Sequence, residues 1–377
     1  MPQGRDGAGG GRKRELASAM IARLEDELRK MQRRLEEEAA LNLVARARIP
    51  LLGAFAECRV ALGQRLAAEE APEGQRAAAM AEALESMQRA DELVGAVRRT
   101  LGSGEAPPPP APPPAARGGG DEPACPALAA GDATACTNSS GASSSTATTV
   151  ALAAGAGGGA SGAAQQLGMG ASLSRMIEIV IEATRLELDM DGFIAWWRAR
   201  LSKLAVVLVQ VQSGISTPES LEESLYEMSA AFGGLFLVRP WFAELMTLNM
   251  DKRAPERQPP GWWGRVARAM EPTERQVPLL HASFSWVRSA NIALRGECDQ
   301  IARRAVDAEA HDPEGHAALL FGLERLQRVY RVTVVAHKMV VMAALLQPPQ
   351  LAMLYIQAWP YMPMLVGVLE DMAAETG

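Results

Sequence analysis

Residues Ile21–Leu35 read IARLEDELRKMQRRL, and their spacing decides the class of fold. Ile21, Leu24, Leu28, Met31 and Leu35 step by 3, 4, 3, 4, the interval at which apolar side chains form one stripe on a helix wound against a partner. Opposite charges stand one turn apart beside the stripe, Glu25 with Arg29, Asp26 with Lys30 and Arg33 with Glu37. The next core position is Glu38, so the strict seam lasts about three heptads. Outward from it, the pattern predicts one helix from about Arg12 to Ile49, stopped by Pro50. Two further helices follow, about 51–69 and 75–101, separated by Glu70-Ala71-Pro72-Glu73-Gly74. In the second of these, Met87, Ala90, Val94, Val97 and Leu101 repeat the spacing. Residues 12–102 therefore read as a helical arm with a coiled-coil seam. So little large apolar surface over so much helix points to self-association.

Composition supports helix throughout. Hydrophobic residues make up 48% of the 377, yet aromatics are only 5%, so the apolar share is carried by Ala, Leu, Val and Met. Unbranched side chains lose little freedom in a helix, whereas strands favour β-branched and aromatic residues. Net charge is −6, with 17 basic and 16 acidic groups in residues 1–100, and no segment carries the basic excess that non-specific nucleic-acid binding relies on.

Residues 1–11 read as a disordered N-terminus, and MPQGRDGAGGGRKRE has no apolar core of the kind a signal peptide needs. An intracellular site, cytoplasmic or nuclear, is expected. The four cysteines, Cys58, Cys125, Cys136 and Cys298, form no C-x-x-C pair, and the sequon at Asn138 is expected to be silent in a reducing compartment. Residues 103–168 begin with the proline run EAPPPPAPPP and dissolve into Gly, Ala and Ser, a composition expected to remain a disordered linker.

From 169 to 377 the sequence predicts a second helical domain of six to eight helices. Ser216-Thr217-Pro218-Glu219 has the residues that start a helix, and Leu221, Leu225, Met228 and Phe232 continue its apolar face. Further helices are expected over about 193–211, 262–270, 273–309, 313–347 and 350–375. The run LAMLYIQAWPYMPMLVGVL, 351–369, carries no charge, but Pro360 and Pro363 favour buried helices over a membrane span. Trp262-Trp263 behind Pro259-Pro260-Gly261 should set one indole in the core and leave the other partly exposed, a candidate partner anchor.

Motifs for chemistry are weak. GAGGGA at 155–160 follows no strand and opens no helix, so it does not read as a phosphate loop. In HDPEGH, His311 and His316 are five apart, poor spacing for one helical face. Asp312 and Pro313 read there as a helix start, and no metal site is expected. His281 and Cys298 could form a nucleophile and base only by folding together. Glu222-Glu223 and Glu370-Asp371 read as solvated faces. Arg325, Arg328 and Arg331 step by three and offer a candidate nucleic-acid face, with acidic neighbours such as Glu324 interleaved.

Together these features describe an all-α, non-enzymatic chain needing no cofactor. It is expected to form a homo-oligomer through residues 12–102 and to bind a protein partner through its C-terminal helices. A viral capsid-, tegument- or nucleocapsid-associated protein would have this layout. A nucleoprotein using the Arg face is the alternative.

Overall fold

The computed structural model describes residues 9–102, 172–309 and 312–375. Residues 1–8, the expected linker at 103–168 with Cys125, Cys136, Asn138 and the GAGGGA run, and His311 lie outside the described residues. The elements are α1 (Gly9–Glu70), α2 (Glu73–Gly102), α3 (Leu173–Ala183), α4 (Met190–Gln212), α5 (Pro218–Val238), α6 (Phe242–Leu245), β1 (Leu248–Asn249), β2 (Ala254–Pro255), α7 (Trp262–Met270), α8 (Gln276–Glu309), α9 (Pro313–Ala344), α10 (Pro348–Ala358) and α11 (Leu365–Glu375). The all-α expectation holds. Among the described residues the small exception is the antiparallel ladder pairing Leu248 with Pro255 and Asn249 with Ala254.

The expected break at Pro50 does not occur. α1 runs unbroken through it, although an interior proline removes one backbone hydrogen bond and crowds the preceding turn, costing about 3 kcal/mol. Packing supplies the compensation. Ala47, Leu51, Ala54, Phe55, Cys58, Ala61 and Leu62 are fully buried in a core that also holds Met87, Ala90, Val94 and Val97 of α2, the helix packed along α1. Burying one large aliphatic or aromatic side chain is worth about 1.5–3 kcal/mol, so a few of these outweigh the proline.

The boundaries at 102 and 169, drawn on composition, do not coincide with a break in packing. The second half of α1 and the Met87–Leu101 part of α2 share one hydrophobic core with α3, α8 and α9. Polar contacts reinforce the junction. Arg65, nearly buried, grips Glu178 of α3 with Nε at 2.9 Å and Nη2 at 3.0 Å, and Glu69 with Nη1 at 2.5 Å. Asp91 accepts hydrogen bonds from the first turn of α3, from Leu173 N at 2.5 Å and Ser174 Oγ at 2.5 Å, a cap supplied from another helix. Arg98 donates to the Ala343 carbonyl at the end of α9, at 2.9 Å.

The second half of α9 is the axis of the core, with Val335–Leu346 buried on every face. α3 crosses α5 where Gly233 and Gly234 permit close approach: a Cβ on Gly234 would lie 2.6 Å from the Ala183 carbonyl carbon. Local signals explain several starts. Thr217 precedes α5 with Pro218 in its first turn, and Asp312 caps α9 by accepting from Gly315 N at 2.9 Å. The expected helix at 350–375 is instead two, α10 and α11, interrupted around Pro360 and Pro363. Leu351, Leu354, Tyr355, Met362, Val368 and Leu369 of the uncharged run are buried, as expected for core helices.

Among the described residues, one helix is long and apolar enough to cross a membrane, and it lies within α1. The apolar stretch that meets this test is 22% buried, and burial along α1 becomes dense only from Ala47 onward.

Candidate functional site

α1 has two halves with opposite surroundings. Every residue from Met20 to Asn42 is exposed, and burial begins only at Leu43 and Val44. At 1.5 Å per residue the exposed stretch is about 35 Å of helix. Its stripe keeps the expected spacing, and Ile21, Leu24, Leu28, Met31 and Leu35 are 56%, 54%, 53%, 62% and 70% exposed. Two of the three expected ion pairs form, Lys30 with Asp26 at 2.8 Å and Arg29 with Glu25 at 3.9 Å, and Arg23 reaches Glu27 at 3.4 Å. The contact with Lys30 holds the Asp26 carboxyl below its ordinary pKa, and the same contact raises that of Lys30. Such solvated i,i+4 pairs support a helix only weakly, so they do not account for a stripe of five uncovered apolar residues.

Both tryptophans of the breaker are partly buried against the core, so the division into one core and one exposed indole is replaced by two comparable contacts. Gly261, left-handed at φ 70°, turns the chain into α7. Trp262 then sets its ring edge-on to Tyr361, centroids 5.1 Å apart, under the Arg265 guanidinium at 4.2 Å. Trp263 presses on α11, where a Cβ on Gly367 would meet its Nε1 at 2.8 Å. Asp371, expected on a solvated face, accepts from Gly264 N at 2.8 Å and thereby caps α7.

Arg328 and Arg331 are engaged within the chain. Arg328 pairs with Glu70 at the surface and Arg331 donates to the Leu237 carbonyl at 3.2 Å, so Arg325 and Arg328 stay exposed and Arg331 is half-buried. His281 and Cys298 both lie on α8, so 17 residues of helix hold them about 25 Å apart along its axis. Among the described residues no cluster of three or more His, Cys, Asp or Glu is placed to hold a metal ion.

Sequence reasoning missed one chemically unusual group. Lys338 is buried on α9 with its Nζ 3.4 Å from the Phe232 ring centroid and 5.0 Å from that of Tyr355, and no hydrogen-bond partner. Burial pushes its pKa well below the ordinary 10.5. The ring faces favour an ammonium by up to about 2 kcal/mol. Leaving that ammonium desolvated and unpaired costs several, so the balance shifts toward the neutral amine. Beside it lies a space lined by Met176, Tyr226, Ser229, Gly233, Met339 and Met342, with about 10 Å³ open to the centre of a water-sized molecule. That is about the room one water needs. Neighbouring His337 faces elsewhere, between Phe55 (5.3 Å) and Trp286 (6.4 Å). Burial lowers its pKa to about 3, opposed by a hydrogen bond with the Ser283 backbone. The available signal was a His-Lys pair in the middle of VTVVAHKMVVMAALL, where charge has no solvated face to occupy.

The site with the most uncovered chemistry is thus an apolar seam on α1. No protein-family model, characterised protein or solved structure matches this chain.

Proposed function

We propose that the protein is a non-enzymatic structural or adaptor protein. A second copy of itself covers the exposed half of α1, and its C-terminal helices serve a protein partner. The observation that carries this reading is the stripe from Ile21 to Leu35: apolar at heptad spacing, more than half exposed, and rooted in a helix whose other half is locked into the core. A heptad stripe is self-complementary, because equivalent knobs and holes recur on an identical helix. The separation of His281 from Cys298 along α8 supports the non-enzymatic part. Internal engagement of Arg328 and Arg331 makes the nucleic-acid alternative the weaker one.

Light scattering after size exclusion on the full chain tests the proposal. The wild type is expected to run as an oligomer, and Leu24→Glu/Leu28→Glu as a monomer with unchanged helical circular dichroism. A monomeric wild type at tens of micromolar, or an unchanged mass in the double variant, would refute it. Absorbance at 260 nm that co-elutes and is lost as salt rises would favour the alternative.

A further inference from the structure

We infer that two copies pair through the seam in antiparallel orientation, an inference that rests on the self-association proposed above. The register follows from the charges beside the stripe. With Ile21, Leu28 and Leu35 at a positions and Leu24 and Met31 at d, the flanking e and g positions are Glu25, Glu27, Gln32 and Arg34. In a parallel, in-register pair the g and e positions face each other across the seam, so Glu27 meets Gln32 and Arg34 meets Ala39. The d position after Met31 then sets Glu38 against Glu38, like charges at a core position. Nothing in that arrangement attracts the flanks, and one layer repels.

Reversing one helix changes every flank. Core layers become Leu24 on Leu35 and Leu28 on Met31, each occurring twice by symmetry, and equivalent flanks now face each other. Glu27 of each copy then meets Arg34 of the other, giving two opposite-charge contacts, and Glu38 falls opposite Ile21 at the ends of the seam, where its carboxylate reaches water. Both partners are available for this. Arg34 makes no ion pair within its own chain among the described residues, and Glu27 holds Arg23 by a long 3.4 Å contact between groups 82% and 54% exposed. Geometry agrees. The symmetry point lies between Leu28 and Met31, about 26 Å of helix before Ala47, so the two folded bodies sit at opposite ends of the paired arms, about 50 Å apart along the axis.

Charge reversal on the full-length protein separates the registers. Dissociation constants are measured by sedimentation at low salt for wild type, Glu27→Arg, Arg34→Glu and Glu27→Arg/Arg34→Glu, all at exposed positions where folding is unaffected. The antiparallel register predicts a dimer weakened about tenfold by either single change, restored to near wild type in the double variant, and strengthened when the two single variants are mixed. A dimeric wild type whose affinity neither single change alters would overturn the antiparallel register and leave self-association standing. A trimer would also overturn it, since three like helices in a ring cannot all be antiparallel neighbours. A wild type that stays monomeric removes the self-association reading itself.

Discussion

Replacing Lys338 by Met tests whether a buried amine is neutral in this fold. Methionine keeps an unbranched stem between Phe232 and Tyr355 and removes Nζ, which has no hydrogen-bond partner. An unsatisfied buried polar group costs about 1–3 kcal/mol, so the variant is expected to be more stable at pH 7 by at least about 1 kcal/mol. The pH dependence gives a sharper signature. In the unfolded chain the amine holds its proton up to about pH 10.4. In the fold, burial lowers that value, so between the two the unfolded state binds one more proton than the folded state. Stability of the wild type then rises with pH by up to about 1.4 kcal/mol per unit, and the advantage of Lys338→Met shrinks at the same rate. Urea titrations of both proteins at pH 7, 8 and 9, followed by tryptophan fluorescence, read the difference directly. His337 does not interfere. Its value is lowered to about 3 from 6.5, so its contribution is complete above pH 6.5 and is lost only as pH falls toward 3. A constant difference across pH 7–9, with Met the less stable, would mean that the ammonium stays charged over the rings, and the desolvation reasoning would fail.

Gly234→Ala should destabilise by about 2–3 kcal/mol, because the added Cβ meets backbone of α3 at 2.6 Å. Gly63→Ala, in α1 with nothing within 4 Å of the new atom, should stabilise by about 0.5–1 kcal/mol; equal effects in urea would refute the close crossing. Trp262→Ala and Trp263→Ala should both lower stability, by about 2 kcal/mol each for half-buried indoles. A variant of either that weakens association while leaving the urea midpoint unchanged would restore the anchor reading. Cys58 is buried with its thiol pKa pushed up to about 12, so at pH 8 a thiol reagent should label Cys298 well before Cys58. Labelling of Cys58 at the rate of an exposed thiol would show that the α1–α2 pair opens in the native state.

The residues show where local signals suffice and where they do not. The helix over Ile21–Leu35, the start of α5 at Thr217-Pro218 and that of α9 at Asp312-Pro313 are set by neighbours within one or two turns, and all three were legible. Pro50 was not, because what outweighs it is distant. Phe55, a turn and a half later, stacks on Trp286 at 4.9 Å and on His337, more than 200 residues away in the chain. The same holds for polar groups whose partners are remote. Asp91 caps α3 across 82 residues and Arg65 meets Glu178 across 113, pairings that no periodicity encodes. Adjacent carboxylates at Glu370-Asp371 looked like a solvated face because the amide that Asp371 caps, Gly264 N, lies 107 residues earlier.

Continuity of α1 through Pro50 ties folding to assembly in only one direction. The buried half fixes where the helix points, so the exposed half leaves the core as an extension of a helix already formed. It therefore avoids the nucleation penalty that makes short isolated helices marginal in water. The seam residues in turn add nothing to the core, since Met20 to Asn42 are exposed throughout. Variants at Leu24 or Leu28 should change the dissociation constant without changing the urea midpoint of the monomer. Lys338→Met should do the opposite. If instead a seam variant loosened the core, as rapid labelling of Cys58 would report, the arm would have to be part of the folding unit, and the separation of a rigid root from an associating tip would be wrong.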